Sequence, residues 1–133
     1  MKKGKSENVL LIFAQLAFSL FHLFTFPLYK FMFVVLYRWR IKPELETQFV
    51  EAWAEITAYY SRNEHWRGSR LHRGADGIFY SYAQWESDEL RRKAFENRPD
   101  LPDGAKMREA IEESFPETVL EIVSDFLILQ EKK

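Results

Sequence analysis

FVVLYRWRIKPELETQFVEAW, residues 33–53, carries a strand, a turn and the start of an amphipathic helix in direct succession. Phe33 to Ile41 is rich in β-branched and aromatic residues, which predicts a strand, and Lys42-Pro43 ends it. Pro43 suits the first turn of a helix, and Glu44 and Glu46 suit its positive end. Leu45, Phe49, Trp53, Ile56 and Tyr60 then recur at helical spacing and predict one helix over roughly residues 44–63 with a single apolar stripe. Such a stripe needs a sheet to pack on.

Working outward, Arg67-Gly68 leads into a short strand, Ser69 to Arg73, and Gly74-Ala75-Asp76-Gly77 has the chemistry of a tight hairpin turn before a returning strand, Ile78 to Trp85. Ser87 is a good N-cap for a helix over about 88–97, which Pro99 closes. A second short helix is expected from Gly104 to Ser114, and a last strand from Thr118 to about Leu129. The order β-α-β-β-α-β, with its second helical region split, predicts an α+β fold of the ferredoxin-like kind, an antiparallel sheet with helices on one face. Along the third strand, Phe79, Ser81, Ala83 and Trp85 share one side, and Ile78, Tyr80 and Tyr82 the other. The small residues Ser81 and Ala83 let helices or a ligand approach, so that side is assigned to the helices. Tyr80 and Tyr82 then face a partner sheet, and a homodimer through the sheet face is expected because an aromatic face is costly to leave in water.

Upstream of Met32 the chain changes character. All ten Arg lie at or after Arg38, whereas six of the twelve Phe lie in the first 31 residues. Four Lys against one Glu give +3 in that segment, and 15 basic against 19 acidic residues give −4 after it. Val9 to Leu28 is a run of 20 residues without a formal charge, long enough as a helix to span a bilayer, although Gln15, His22 and Pro27 interrupt it. Lys2, Lys3 and Lys5 would hold its N-terminus in the cytoplasm. Three readings stand: a start assigned too early, with Met32 the true one; a membrane anchor; or a signal cleaved near Ala17-Phe18-Ser19. The expected organisation is an apolar extension of residues 1–31, outside a domain of residues 32–133. That domain is placed in the cytoplasm by default, with membrane anchoring through residues 9–28 as the alternative.

Composition removes several chemistries. There is no Cys, which excludes disulfides and thiol nucleophiles, and the domain's negative charge argues against nucleic acid as a partner. No His/Asp/Glu set has metal-ligand spacing and no Gly-rich phosphate loop is present, so neither metal nor cofactor is expected. The aromatic supply, Trp39, Trp53, Trp66 and Trp85 with five Tyr after Met32, suits a pocket for a small hydrophobic or aromatic ligand, or an oligomeric interface.

Residues 33–53, the hairpin GSRLHR with DGIFYSYAQWES (68–73 and 76–87) and the closing MREAIEESFPETVLEIVSDFL (107–127) together resemble the antibiotic biosynthesis monooxygenase domain family, over essentially residues 32–129. The resemblance implies a dimeric α+β barrel with substrate held between sheet and helices. It also implies one of two known chemistries: oxygenases that work without a cofactor on polycyclic phenols and quinones, or haem degradation. Trp85 matches a pocket tryptophan of the haem-degrading branch. Tyr37 stands where that branch has an asparagine, and residues 88–115 contain no histidine for its third element, so haem degradation is the weakest option.

The expected catalytic residues are Tyr37, a pocket phenol able to donate to a substrate oxygen; His72, whose ordinary pKa suits proton abstraction; and Trp85. Arg38, Trp39, Ser81 and Ala83 are the expected substrate contacts. Four of these have an ordinary alternative: core packing for Tyr37 and Trp85, a solvated strand edge for His72, and, for Arg38 together with Arg40 and Arg70, dimer salt bridges to acidic helix residues. The leading function is a cofactor-independent monooxygenase acting on a small phenol or quinol. The alternative is a non-catalytic barrel that binds a hydrophobic ligand or serves as an accessory subunit.

Overall fold

The nine residues Phe33–Ile41 form β1, the strand on which the sheet is assembled. In the computed structural model, which describes residues 32–128 and residue 130, one edge of β1 pairs antiparallel with β3 (Ile78–Trp85). Its other edge pairs with β4 (Ile111–Ser114) near its end and with β5 (Thr118–Leu120) near its start. β2 (Trp66–Arg73) pairs with β3 and completes the order β2-β3-β1-β4. A 3-10 turn at Pro43–Leu45 opens α1 (Glu46–Tyr60), and α2 (Asp88–Glu96) and α3 (Pro102–Ala110) make up the split second helical region. This is the expected ferredoxin-like α+β fold. The expected apolar helix of residues 9–28 lies outside the described residues. No helix among the described residues is long and apolar enough to cross a membrane.

Register sorts the side chains. Val35 lies opposite Ala83, Tyr37 opposite Ser81 and Trp39 opposite Phe79, so all six share the helix-covered face. At the centre of that layer Phe49 is fully buried, with its ring edge-on to Trp39 at 5.4 Å and to Phe79 at 5.3 Å. Ile41, Ala110, Leu71 and Met107 close around this cluster.

The predicted turns and caps form as the chemistry requires. Gly77 takes φ 78°, which L side chains rarely adopt, and the Asp76 carboxylate accepts from Ile78 N at 3.0 Å to close the hairpin. Ser87 caps α2 by accepting from Leu90 N at 3.2 Å.

Three element bounds differ from expectation. β2 begins at Trp66 rather than Ser69, because a bulge at Gly68, φ 120°, lets Trp66 and Ser69 both join the ladder. The second short helix runs from Pro102 to Ala110, not from Gly104 to Ser114. Pro102 opens it, and Ile111 turns extended to pair with Ile41. The last strand stops at Leu120 instead of continuing to Leu129, since Leu120 already lies opposite Val34 and β1 has almost run out of residues to pair with.

Truncating Phe49 to Ala should cost about 3–5 kcal/mol, the range for removing a buried aromatic ring from a core. Urea unfolding of the two proteins measures it.

Candidate active site

Between the sheet and the helices lies a cavity of about 320 Å³. Tyr37, Trp39, Ser81, Ala83 and Trp85 form its sheet wall, with Trp66 and Ser69 from β2. The stripe of α1 supplies Trp53, Ile56, Thr57 and Tyr60. Phe95 of α2, Arg98 of the following loop, Gly104, Met107 and Arg108 of α3, and Ile111 of β4 complete it. Most of these walls are aromatic or aliphatic. Such a space holds a flat, apolar molecule and orients it through few polar groups.

One polar arrangement faces this space, and a second stands behind its wall and reaches it through Tyr37. Trp53 Nε1 donates to Ser81 Oγ at 3.2 Å, and Ser69 Oγ lies 3.3 Å from the same oxygen, so a chain of small donors crosses the sheet floor. The second is built on Arg91, only 5% exposed although it carries a charge. Its Nη1 donates to the Tyr37 hydroxyl at 2.8 Å, its Nη2 to Glu117 at 3.1 Å, and its Nε to Asp88 at 3.0 Å. Its guanidinium also lies 5.1 Å from the Phe33 ring centre and 5.4 Å from that of Phe95. Burial works against this charge, but the hydrogen bonds to Glu117, Asp88 and Tyr37 outweigh it and hold Arg91 protonated more firmly than usual.

Burial also governs Tyr37. It raises the phenol above its ordinary value of 10.0, although the charge and hydrogen bond of Arg91 pull the other way. Tyr37 therefore keeps its proton at neutral pH. Arg91 occupies the acceptor side of the oxygen, and no described residue takes the proton, which is left for a bound molecule.

Of the expected site residues, the structure brings Tyr37, Trp39, Ser81, Ala83 and Trp85 to one cavity. Trp85 is 2% exposed and stands edge-on to Tyr60 at 6.0 Å and Phe95 at 5.9 Å, so its indole both packs and lines. His72 and Arg38 are not brought there. Both lie opposite Tyr80, on the face away from the helices, which removes His72 as a base and Arg38 as a ligand contact for this cavity. Arg38 instead donates to the Pro116 carbonyl at 3.4 Å and lies 5.6 Å from the Phe115 ring centre. Its expected companions Arg40, Arg70 and His72 do share its face. Among the described residues no group of three His, Cys, Asp or Glu is placed to hold a metal, and no histidine lines the cavity to ligate haem.

The antibiotic biosynthesis monooxygenase family model matches residues 32–106. The chain belongs to this family. The matched span runs from the start of β1 into α3 and contains every expected site residue. Among solved structures, SnoaB of Streptomyces nogalater, a cofactor-independent oxygenase, aligns with a TM-score of 0.61 at 17% identity, covering 71% of this chain and 96% of its own. A protein of Mycobacterium tuberculosis aligns at 0.61 and 15%, covering 72% and 99%. A conserved protein of Methanosarcina mazei aligns at 0.62 and 10%, covering 71% and 95%. At these identities the likeness is one of fold. No curated protein matches the sequence.

Sequence reading passed over Arg91, Tyr60 and Phe95. Arg91 offers the sequence only its spacing, three residues after Asp88 and four before Phe95, which a solvated helix face shows as well.

A phenol whose folded value lies above its unfolded one contributes stability in full below the unfolded value and loses it as pH rises through the folded one. Stability should therefore fall as pH climbs past 10.0. Tyr37→Phe should show a shallower fall than the parent, because the remaining slope comes from other groups such as Tyr80, raised by its hydrogen bond to Asp76. Urea melts on both sides of that pH measure the difference.

Proposed function

We propose that the domain is a cofactor-independent oxygenase acting on a small electron-rich phenol or quinol held in the aromatic cavity. The observation that carries this reading is the protonated Tyr37 hydroxyl, set by Arg91 in an apolar, aromatic space. Membership of the family and the SnoaB fold support it.

In this mechanism the bound phenol loses its proton to solvent, because among the described residues no His, Asp or Glu lines the cavity to take it. Tyr37 donates to the resulting phenolate and keeps its charge near the ring. One electron passes from this anion to oxygen, the two radicals combine to form a carbon–oxygen bond, and the peroxide breaks with loss of water. The phenol O–H, a ring C–H conjugated with it and O₂ thus become a quinone and H₂O, with the substrate supplying all the electrons. Stabilisation of developing charge by a fixed donor in a dry site is the main effect asked of the protein. The want of a base in the lining favours a second reading, a non-catalytic barrel that binds the same kind of molecule.

The reading also includes a homodimer through the outer sheet face. Tyr80 and Tyr82 lie there, and the chain after β5 leaves Val123 83%, Phe126 93% and Ile128 88% exposed, apolar area that a second copy would cover. The family match beginning at residue 32 supports a working unit of residues 32–133, which we place in the cytoplasm. N-terminal sequencing of the native protein separates this from the version anchored through residues 9–28.

Oxygen uptake with a panel of quinols and hydroxyanthrones tests the chemistry. Turnover above the buffer blank is expected. Tyr37→Phe should lower kcat on the order of 100-fold, the usual cost of one such donor, while His72→Ala should leave it unchanged. Uptake at the blank rate for the whole panel, with binding retained, would leave only the second reading. Light scattering at micromolar concentration should give the mass of a dimer; a monomer would remove the partner-sheet argument.

A further inference from the structure

The mouth of the cavity carries charge of one sign. Arg98 and Arg108 line it and are exposed, so their guanidinium groups sit where the apolar space meets solvent. Among the described residues no Asp or Glu lines the cavity with them. This is not the average of the surface, since residues 32–133 hold 15 basic and 19 acidic side chains, a formal −4.

Neither arginine is neutralised locally. Arg40, Arg67, Arg73, Arg91 and Arg92 each form an ion pair, whereas Arg98 and Arg108 form none among the described residues. The nearby acids of α3 are engaged elsewhere: Asp103 faces Lys106 at 4.0 Å, and Glu109 accepts from Gln48 at 3.4 Å. Arg108 also has a prepared seat. A Cβ on Gly104 would come within 3.3 Å of Arg108 Nη1, so the bare backbone there lets the guanidinium lie against the cavity wall.

We propose that the cavity selects an aromatic substrate bearing a carboxylate, with the ring between the Trp and Phe walls and the acidic group on Arg98 and Arg108. This rests on the reading of the cavity as the substrate site and adds the class of substrate. Guanidinium groups meet carboxylates through paired, charge-assisted hydrogen bonds, and at the edge of an apolar space these are less screened than on open surface. A hydroxyl elsewhere on the same ring remains for Tyr37.

Calorimetric titration of the full chain with hydroxynaphthoate and with its neutral amide tests the proposal. The acid should bind roughly tenfold more tightly at low salt, about the value of one good charge-assisted contact. The advantage should shrink as salt rises. Arg98→Gln with Arg108→Gln should bring the affinity for the acid down to that for the amide in the same variant, whereas Arg98→Lys with Arg108→Lys should keep part of the preference. Equal binding of acid and amide by the parent chain, or a preference that survives the double Gln variant, overturns the proposal while leaving the oxygenase reading intact. If neither compound binds, both fall. Should the double variant fail to fold, the salt dependence of the parent decides, and a preference indifferent to salt counts against the arginines.

Discussion

The pleat of β1 sends Tyr37 and Trp39 beneath the helices and Arg38 and Arg40 to the opposite face, and the rest of the domain hangs on that division. Because β1 is bonded on both edges, its alternation is imposed on β3 by register and through β3 on β2. The helix face receives aromatic rings with small residues between them, Ser81 and Ala83 opposite Tyr37 and Val35, and this mixture leaves a space instead of a filled core. Where the rings pack directly against one another, around Phe49, the layer is solid. Core and cavity are two ends of one packed layer.

Arg91 ties that layer together. A buried guanidinium without partners would be severely destabilising, and here the partners come from three places: Asp88 on its own helix, Tyr37 on the central strand, and Glu117 from the break between β4 and β5. The interruption of the fourth strand at Phe115–Glu117 is thus part of the site's support, since it supplies the carboxylate that holds α2 to the sheet. The same network decides the state of Tyr37. A phenol beside a free arginine would ionise more readily; one beside an arginine already neutralised by two carboxylates is ruled by burial and stays a donor.

Much of this was legible in the sequence, for a physical reason. Tyr37, Trp39, Ser81, Ala83 and Trp85 lie on two strands whose period of two is unbroken, and small residues at 81 and 83 mark the side that helices approach. His72 was not placed, because the face of β2 depends on pairing and bulge. Trp66 and Ser69 both reach the cavity although they stand three positions apart, and the bulge at Gly68 that permits this has no signature beyond a single glycine. Arg38 was separable on parity alone, being the neighbour of Tyr37 on the same strand. Arg91 was hidden by type: an arginine in a charged helix reads as solvated until the carboxylate at residue 117 is known to reach it. The ends of α3 and the last strand were misjudged because each is set by where β1 offers a bonding edge.

The unpaired stretch of residues 121–128 bears on how this protein behaves in a concentrated solution. Phe126-Leu127-Ile128-Leu129 is a run of four strand-forming residues held between Asp125 and the closing Glu131-Lys132-Lys133. Sequences of that kind seed intermolecular β-aggregates when left open, and flanking charges of this sort are the usual guard against it. With Phe126 and Ile128 almost fully in water in a single copy, the few charges around them are what oppose such pairing. Removing them would turn the terminus into an adhesive one.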